Sequence, residues 1–376
     1  MRIAFYMNCI SAHQLPLARA VAELVGMDNF CYVDAGLVGR SYQTCSNLKI
    51  DVYSLRQSDE GAAKWLEESD VMLTGMRDLA LFERRLKRGL KTYYASERWF
   101  KPLEFKVQGL RFKVPGWARL LAPGYRRMVK RLVKWANEDP GARVLAIGPW
   151  AKKDFLRMGV RAEKIVDWGY FVEKGTENGE RGTGSDLKVL WCGRMLDCKR
   201  AEDIVRAVRK VKGEGEQRNV SLTIVGDGAE KEKLIRLAQR LFPGDVAITQ
   251  SNNFKSPNQT IAFLPGQPME KVRELMKGHD LYVLASNAYE GWGAVVSEAL
   301  EEGMRVLGTF EAGSSATILP RERLFHAGDW KELARLIEKD MRGELPSCSI
   351  GEWTAGKAAR RLIGIVERSK LYDDIH

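Results

Sequence analysis

Cysteine is scarce and scattered. The six thiols, at Cys9, Cys31, Cys45, Cys192, Cys198 and Cys348, form no C-x-x-C pair. That argues against a zinc ribbon and a disulfide scaffold, and fits free thiols in a reducing compartment. No apolar run approaches the roughly 18–20 residues that cross a bilayer, so an integral membrane protein is not expected. The opening Met1–Ile10 is apolar too briefly for a secretion signal, has no small-residue cleavage site, and leads into polar Ser11, His13 and Gln14. It reads as a first buried strand. D-x-D, H-E-x-x-H and G-x-S-x-G are all missing, which leaves no sequence support for a metal site or a serine-hydrolase elbow. Internal repeats are missing too, and the one low-complexity stretch is a linker.

Acidic residues are depleted in one place only. The chain carries a net charge of +11, yet residues 171–376 hold 31 basic and 31 acidic residues. Residues 84–134 hold 16 basic residues and 2 acidic ones. An excess so confined implies a localised anionic partner rather than general basicity.

With 376 residues the chain exceeds the ~250–300 at which a single core usually stops growing, so two domains are expected. Short apolar runs at Arg2–Ile10, Phe30–Val33, Val71–Thr74, Thr92–Ala95 and Val144–Ile147 alternate with helical periodicity, as at Leu15–Leu24. Residues 173–186 hold four glycines and no large apolar side chain, the composition of a linker. Beyond it, strands at Leu187–Cys192, Ser221–Val225, Thr260–Phe263, Leu281–Ala285 and Arg305–Thr309 alternate with helices at Ala201–Val211, Glu230–Leu241, Met269–Met276 and Val295–Glu302. This alternation predicts two Rossmann-like parallel-sheet α/β domains, residues 1–172 and 187–350, facing each other across a cleft. Residues 351–376 form a C-terminal helix expected to pack back on the first domain.

Two motifs mislead. Gly351-Glu-Trp-Thr-Ala-Gly356-Lys357-Ala358 nearly fits a P-loop, but Ala358 has no hydroxyl for Mg²⁺ and no strand precedes it. Gly226-Asp227-Gly228 lacks the third glycine of a dinucleotide fingerprint and alone is a tight turn after a strand.

The informative stretch runs from Leu281 to Glu301. A buried strand leads to Glu290, then Gly291-Trp292-Gly293, then a helix containing Glu298. Glycines let backbone amides approach a ligand, and two carboxylates flanking the turn can accept hydrogen bonds from its hydroxyls. Solvated glutamates on a plain strand–loop–helix fit the same residues equally. Gly193-Arg194 and Lys199 place two cations after the first strand of the second domain, where open parallel sheets bind ligands. Arg can grip a diphosphate bidentately and Lys adds a point charge; taken alone, the pair reads as two surface cations.

In series, these motifs resemble the retaining glycosyltransferases of family 4, which have the GT-B fold. Glu290 and Glu298 match that family's glutamate–seven residues–glutamate motif, and Gly193, Arg194 and Lys199 its phosphate loop. Val225–Gly228, Phe263–Gly266 and Gly303–Leu307 follow in the family's order. The resemblance spans about residues 187–320. It implies a nucleotide-diphosphate sugar, such as a UDP-sugar, as donor substrate and no separate cofactor. Arg194 and Lys199 would hold the diphosphate and Glu298 the ribose. Glu290 and the Gly291–Gly293 amides would meet sugar and phosphates, with Trp292 in the same loop, Gly226 nearby and Gly266 near the base. Arg194, Lys199 and Glu290 would be the catalytic set, with cations and amide dipoles in place of a metal.

The first domain, on the acceptor side, matches less well. Ser11–Gln14 replaces the family's Gly-Gly turn, and His13 is the only histidine in residues 1–170. His13 and Glu97 are the acceptor-side candidates; a turn histidine and a surface glutamate fit them as well. Within the basic segment 98–135, Met128, Val129, Leu132, Val133 and Trp135 recur at helical spacing between Arg126, Arg127, Lys130, Arg131 and Lys134. That pattern predicts a helix lying in an anionic membrane surface; a helix packed on the domain with a solvated basic face shares it. The expected acceptor is therefore lipid-linked or a polysaccharide, handled at the cytoplasmic face of the membrane in cell-envelope glycan synthesis. Two other readings compete: a GT-B-fold nucleotide-sugar epimerase, and a nucleic-acid-binding protein that stacks bases on Tyr93, Tyr94, Trp99, Phe100, Phe105, Phe112, Trp117, Tyr125 and Trp135. The second leaves the two glutamates and Arg194–Lys199 without a role, so nucleic acid is not an expected partner.

Overall fold

The computed structural model describes residues 1–36, 49–55, 60–107, 110–173, 186–213, 219–249 and 259–373. Two compact units divide the chain: Met1–Lys174 with Glu352–His376, and Gly175–Gly351.

In the first unit, β1 (Ile3–Met7) leads through α1 (Leu15–Val25) to β2 (Phe30–Asp34) and β3 (Val52–Ser54). The chain then crosses β1 through α2 (Glu60–Glu68), β4 (Val71–Thr74), α3 (Leu79–Lys87) and β5 (Lys91–Ser96). A hairpin of β6 (Leu103–Val107) and β7 (Leu110–Val114) precedes α4 (Pro123–Glu138), β8 (Ala142–Ile147), α5 (Pro149–Met158) and β9 (Ile165–Trp168). Seven parallel strands lie in the order β3-β2-β1-β4-β5-β8-β9. Every residue of β1 and β4 is buried, the continuous burial that a parallel sheet covered on both faces imposes.

The second unit repeats the plan. Its elements are β10 (Asp186–Cys192), α6 (Ala201–Lys212), β11 (Asn219–Val225), α7 (Lys231–Leu241), β12 (Val246–Ile248), β13 (Ile261–Leu264) and α8 (Met269–Lys277). There follow β14 (Leu281–Leu284), α9 (Val295–Glu301), β15 (Arg305–Thr309), α10 (Gly313–Ile318), β16 (Leu324–Phe325) and α11 (Trp330–Met341). The parallel order is β12-β13-β11-β10-β14-β15-β16. The final helix, α12 (Ala355–Asp373), belongs to the first unit, where it packs on α1. Val172 and Thr354 form a parallel bridge there, and Phe171 stacks on Trp353 with ring centroids 5.8 Å apart. The Arg361 guanidinium lies over Trp168, Trp353 and Phe171.

The expected alternation of strands and helices is present in both units. The hairpin β6–β7 and the short strands β3, β9, β12 and β16 were not expected. Most of the expected linker, residues 174–185, lies outside the described residues. The expected insertion of the α4 apolar stripe into a membrane interface is corrected. α4 turns Val129, Leu132 and Trp135 into the core beside Phe82, Tyr94 and Phe155, with Met128 and Val133 packed against the same cluster. Its apolar stripe is already covered by protein, and only the basic face is exposed. Of the expected stacking aromatics, Tyr93, Tyr94, Trp99, Phe100 and Trp135 are buried, Tyr125 is half-buried and Trp117 is exposed, while the side chains of Phe105 and Phe112 lie outside the described ones.

One buried carboxylate clamps the outer edge of the second sheet. Asp340 of α11 accepts from Arg305 Nε and Arg323 Nη1, each at 2.9 Å, and all three residues are buried. Removing one member of such a network strands the others in a medium that cannot solvate them. Asp340→Ala is expected to cost about 3–5 kcal/mol. Thermal unfolding should register this as a Tm lowered by roughly 6–20 °C.

Candidate functional site

β10 lies between β11 and β14, so the crossovers leaving this region of the sheet run to opposite edges and the loops beyond the strand ends part. Lys199 follows β10 and Glu290 follows β14. Although 91 residues apart, they form a direct ion pair, Lys199 Nζ to Glu290 Oε2, with both side chains about four-fifths buried. The structure therefore brings these two expected residues together.

The neighbouring turns explain how. Arg200, the residue before α6, has a left-handed backbone (φ 51°), which costs a side-chain-bearing residue roughly 1–2 kcal/mol. A bidentate pair with Asp203, at 2.6 and 3.0 Å, holds it there, and Asp203 also accepts from the Gly328 amide. The short turn Asp197–Lys199 is thus fixed from one side. From the other, the Asn287 amide donates to the Cys198 carbonyl at 2.9 Å, tying the loop of Glu290 to the turn of Lys199. Asn287 shapes its own loop: its side chain accepts from the Tyr289 amide and its carbonyl from the Glu290 amide. Sequence reading missed Arg200, Asp203 and Asn287. Their signal was local, an acidic residue three past an arginine at a helix start and an asparagine in a turn.

Glycine is required where backbones touch. A Cβ on Gly226 would lie 2.0 Å from the Gly193 carbonyl oxygen, and one on Gly228 2.4 Å from that of Met195. The loops after β10 and β11 are hydrogen-bonded through Gly193 N to Val225 O and Met195 N to Asp227 O. Asp227 continues the chain of contacts, accepting from the Gly266 amide at 2.9 Å and pairing with Lys231, which holds its carboxyl below the usual range. Gly193, Gly226 and Gly266 therefore sit on three consecutive, interlocked strand ends.

Beyond Glu290, Gly291 O accepts from Gly313 N, Trp292 O from Ser314 N, and Gly293 O from Ser314 Oγ. The start of α10 thus staples the Gly291–Gly293 loop. Trp292 is only 1% exposed, so its ring is buried. Glu298, in the first turn of α9, is buried. Burial and then the Glu298 charge push the Cys192 thiol up to about 12. Burial and then the neighbouring Cys192 raise Tyr282 well above the usual phenol range, and its hydroxyl donates to the Cys192 carbonyl at 3.1 Å. Arg194 is exposed at the loop's tip. Among the described residues no group of His, Cys, Asp and Glu is arranged to hold a metal ion.

The first unit has the corresponding opening where β1 meets β4. A cavity of about 360 Å³ lies there, lined by His13, Arg77, Glu97, Trp168, Tyr170 and apolar side chains. His13 stacks on Tyr170 at 6.0 Å, and the Tyr170 hydroxyl donates to Glu97 Oε1 at 3.1 Å. Lys101 holds the other Glu97 oxygen. The two acceptor-side candidates are joined through Tyr170, which sequence reading missed although an aromatic run, Trp168–Phe171, marks that strand end.

Arg126, Arg127, Lys130 and Arg131 are exposed on α4, and Arg131 pairs with Glu83. Trp117 and Leu121, in the turn just before α4, are 57% and 75% exposed. Among the described residues no helix is long and apolar enough to cross a membrane.

Residues 179–350 match the family model described as glycosyl transferases group 1. No curated protein matches the chain. Among solved structures, Anabaena Alr3699/HepE in complex with UDP is similar over 98% of this chain and 95% of that one, at 16% identity and a TM-score of 0.60. A further structure of that protein contains UDP-glucose. The lipopolysaccharide outer core galactosyltransferase WaaB is similar over 98% and 100%, at 16% identity and a TM-score of 0.65. A Rickettsia africae glycosyltransferase is similar over 98% of each chain, at 14% identity and a TM-score of 0.59. The fold is the GT-B fold of these neighbours.

Proposed function

We propose that the protein is a retaining glycosyltransferase resembling family 4, taking its sugar from a UDP-sugar bound by the second unit. The observation that carries this reading is the Lys199–Glu290 pair at the β10–β14 strand ends, inside the stretch that matches the group 1 glycosyl transferase model. Glu290 and Glu298 stand in the spacing of the Glu-x7-Glu motif. Before donor arrives, Lys199 and Glu290 neutralise each other. A diphosphate that draws Lys199 leaves Glu290 to accept hydrogen bonds from the sugar. Arg194, exposed at the loop tip, closes on the diphosphate from solvent. The buried Glu298 meets the ribose hydroxyls, and Gly266 borders the base.

Negative charge gathers on the diphosphate as the glycosidic bond breaks, and preset cations stabilise that charge without reorganising. The acceptor hydroxyl attacks the face the diphosphate leaves, and a phosphate oxygen takes its proton, so configuration is retained. Cationic side chains and amide dipoles replace a metal. The cavity of the first unit receives the acceptor, with Tyr170 against a sugar ring and His13 and Glu97 at its hydroxyls. The epimerase alternative has no observation that favours it.

The acceptor is proposed to be lipid-linked and reached at the cytoplasmic face of an anionic membrane during cell-envelope glycan synthesis. What supports this is exposure: Trp117 and Leu121 adjoin the free face of α4 with Arg126, Arg127 and Lys130. Apolar anchors beside cations suit an interface, and each Lys or Arg near an anionic leaflet contributes about 1 kcal/mol.

Lys199→Ala is expected to lower kcat for UDP-sugar turnover by about 10²–10³ while the circular dichroism spectrum is unchanged. Lys339→Ala is the control, and a fully active Lys199→Ala enzyme would refute the assignment. Activity should also survive EDTA; loss restored by Mg²⁺ or Mn²⁺ would show that a metal carries the charge instead. In sedimentation with vesicles, the protein should bind anionic but not neutral lipid, more weakly in high salt and after Trp117→Ser/Leu121→Ser or Arg126→Glu/Arg127→Glu. Equal behaviour towards both lipids would rule out the electrostatic anchor.

A further inference from the structure

A second cavity in the Gly175–Gly351 unit, of about 420 Å³, opens between α6 and α7. The Gly193–Lys199 loop contributes Met195 and Leu196 to it, while the same loop gives Lys199 to the ion pair with Glu290. Its floor is apolar, made by Leu196, Ala201, Leu234 and Leu237. Its rim is charged. Lys233, Arg236 and Arg240 lie on one stripe of α7, and Arg206 faces them from α6.

The rim's charges do not cancel. Its two carboxylates are Glu202 and Glu230. Glu230 is taken by Lys233 at 2.7 Å, and Glu202 lies 3.8 Å from Arg200, which is not in the lining. Among the described residues Arg206 reaches only Asp203, at 3.9 Å, and Asp203 already holds Arg200 bidentately. Arg236 and Arg240 have no ion-pair or hydrogen-bond partner among the described residues. Like charges spaced four apart on a helix repel, and Glu230 answers only Lys233, so Arg236 and Arg240 weaken α7 unless an anion lies against them.

We propose that this cavity is a second binding site, for a small organic anion with an apolar body. The volume is in the range of small-molecule pockets, the floor would bury an aryl or acyl group, and the guanidiniums of Arg236 and Arg240 would grip a carboxylate, sulfonate or phosphate by paired hydrogen bonds. A fully polar anion leaves the leucine floor wet, and an uncharged apolar molecule leaves the arginines unanswered. The ligand therefore needs both parts.

The probe is 8-anilinonaphthalene-1-sulfonate, an aryl body carrying one anionic group, titrated by fluorescence into the full chain. A single saturable class of sites is expected, retained in saturating UDP. Affinity should fall about tenfold or more in Arg236→Gln/Arg240→Gln, the worth of hydrogen bonds to a charged group, and stay unchanged in Arg126→Gln/Arg127→Gln. The uncharged analogue N-phenyl-1-naphthylamine should bind more weakly than the sulfonate. Undiminished binding by Arg236→Gln/Arg240→Gln, or equal binding of the uncharged analogue, would overturn the proposal. Displacement by UDP would overturn it too, by placing the probe in the donor site, and none of these outcomes depends on turnover.

Discussion

In the second unit β14 hydrogen-bonds beside β10, pairing Val189 with Leu281 and Leu190 with Tyr282, while β11 holds the other edge of β10. A right-handed crossover can leave a parallel strand only towards one face, so strands built outward on both sides of β10 force their loops apart at one point of the sheet. Lys199, Glu290, Gly193 and the Gly291–Gly293 turn all come from the strand ends beside this point. The first unit obeys the same constraint around β1, and its cavity lies at the matching place.

Given that opening, two kinds of contact sharpen it. Backbone meets backbone at Gly226 and Gly228, where the absence of a side chain lets neighbouring turns interlock. Charge meets charge at Lys199 and Glu290, whose positions are set by residues that touch no ligand in the proposed reaction: Arg200, Asp203 and Asn287. Supporting groups of this sort hold a site to the fraction of an ångström that chemistry demands. Arg85 does comparable work away from any site. Buried, and pushed down to about 10 by that burial, it binds the carbonyls of Leu66, Ser69 and Lys91 and so joins the end of α2 to β5.

The central strands were legible in the sequence because parallel strands are buried on both faces and read as unbroken apolar runs; Val71–Thr74 and Arg305–Thr309 begin and end where the pattern does. The candidate residues of the second unit were legible through spacing within short motifs. What covers a surface was not. The stripe on α4 has the same period whether a membrane or Phe82 and Phe155 lie against it. Nothing in the sequence says that the Trp292 ring, between two glycines, is buried. His13 and Glu97 gave no hint of Tyr170, since rings brought together across more than seventy residues leave no local trace.

The first unit is closed by α12, whose Ala355, Ala358, Ala359, Leu362 and Val366 are buried, and it is interrupted between Val172 and Thr354 by everything that forms the second. During synthesis the order of completion is therefore inverted. The second unit has all its strands while the first still waits for its last helix, a delay of roughly 10–40 s for about 180 residues at ribosomal speed. Through that interval the flank of α1 that α12 will cover is bare apolar surface on a nascent chain. The first unit is begun before the second and closed after it.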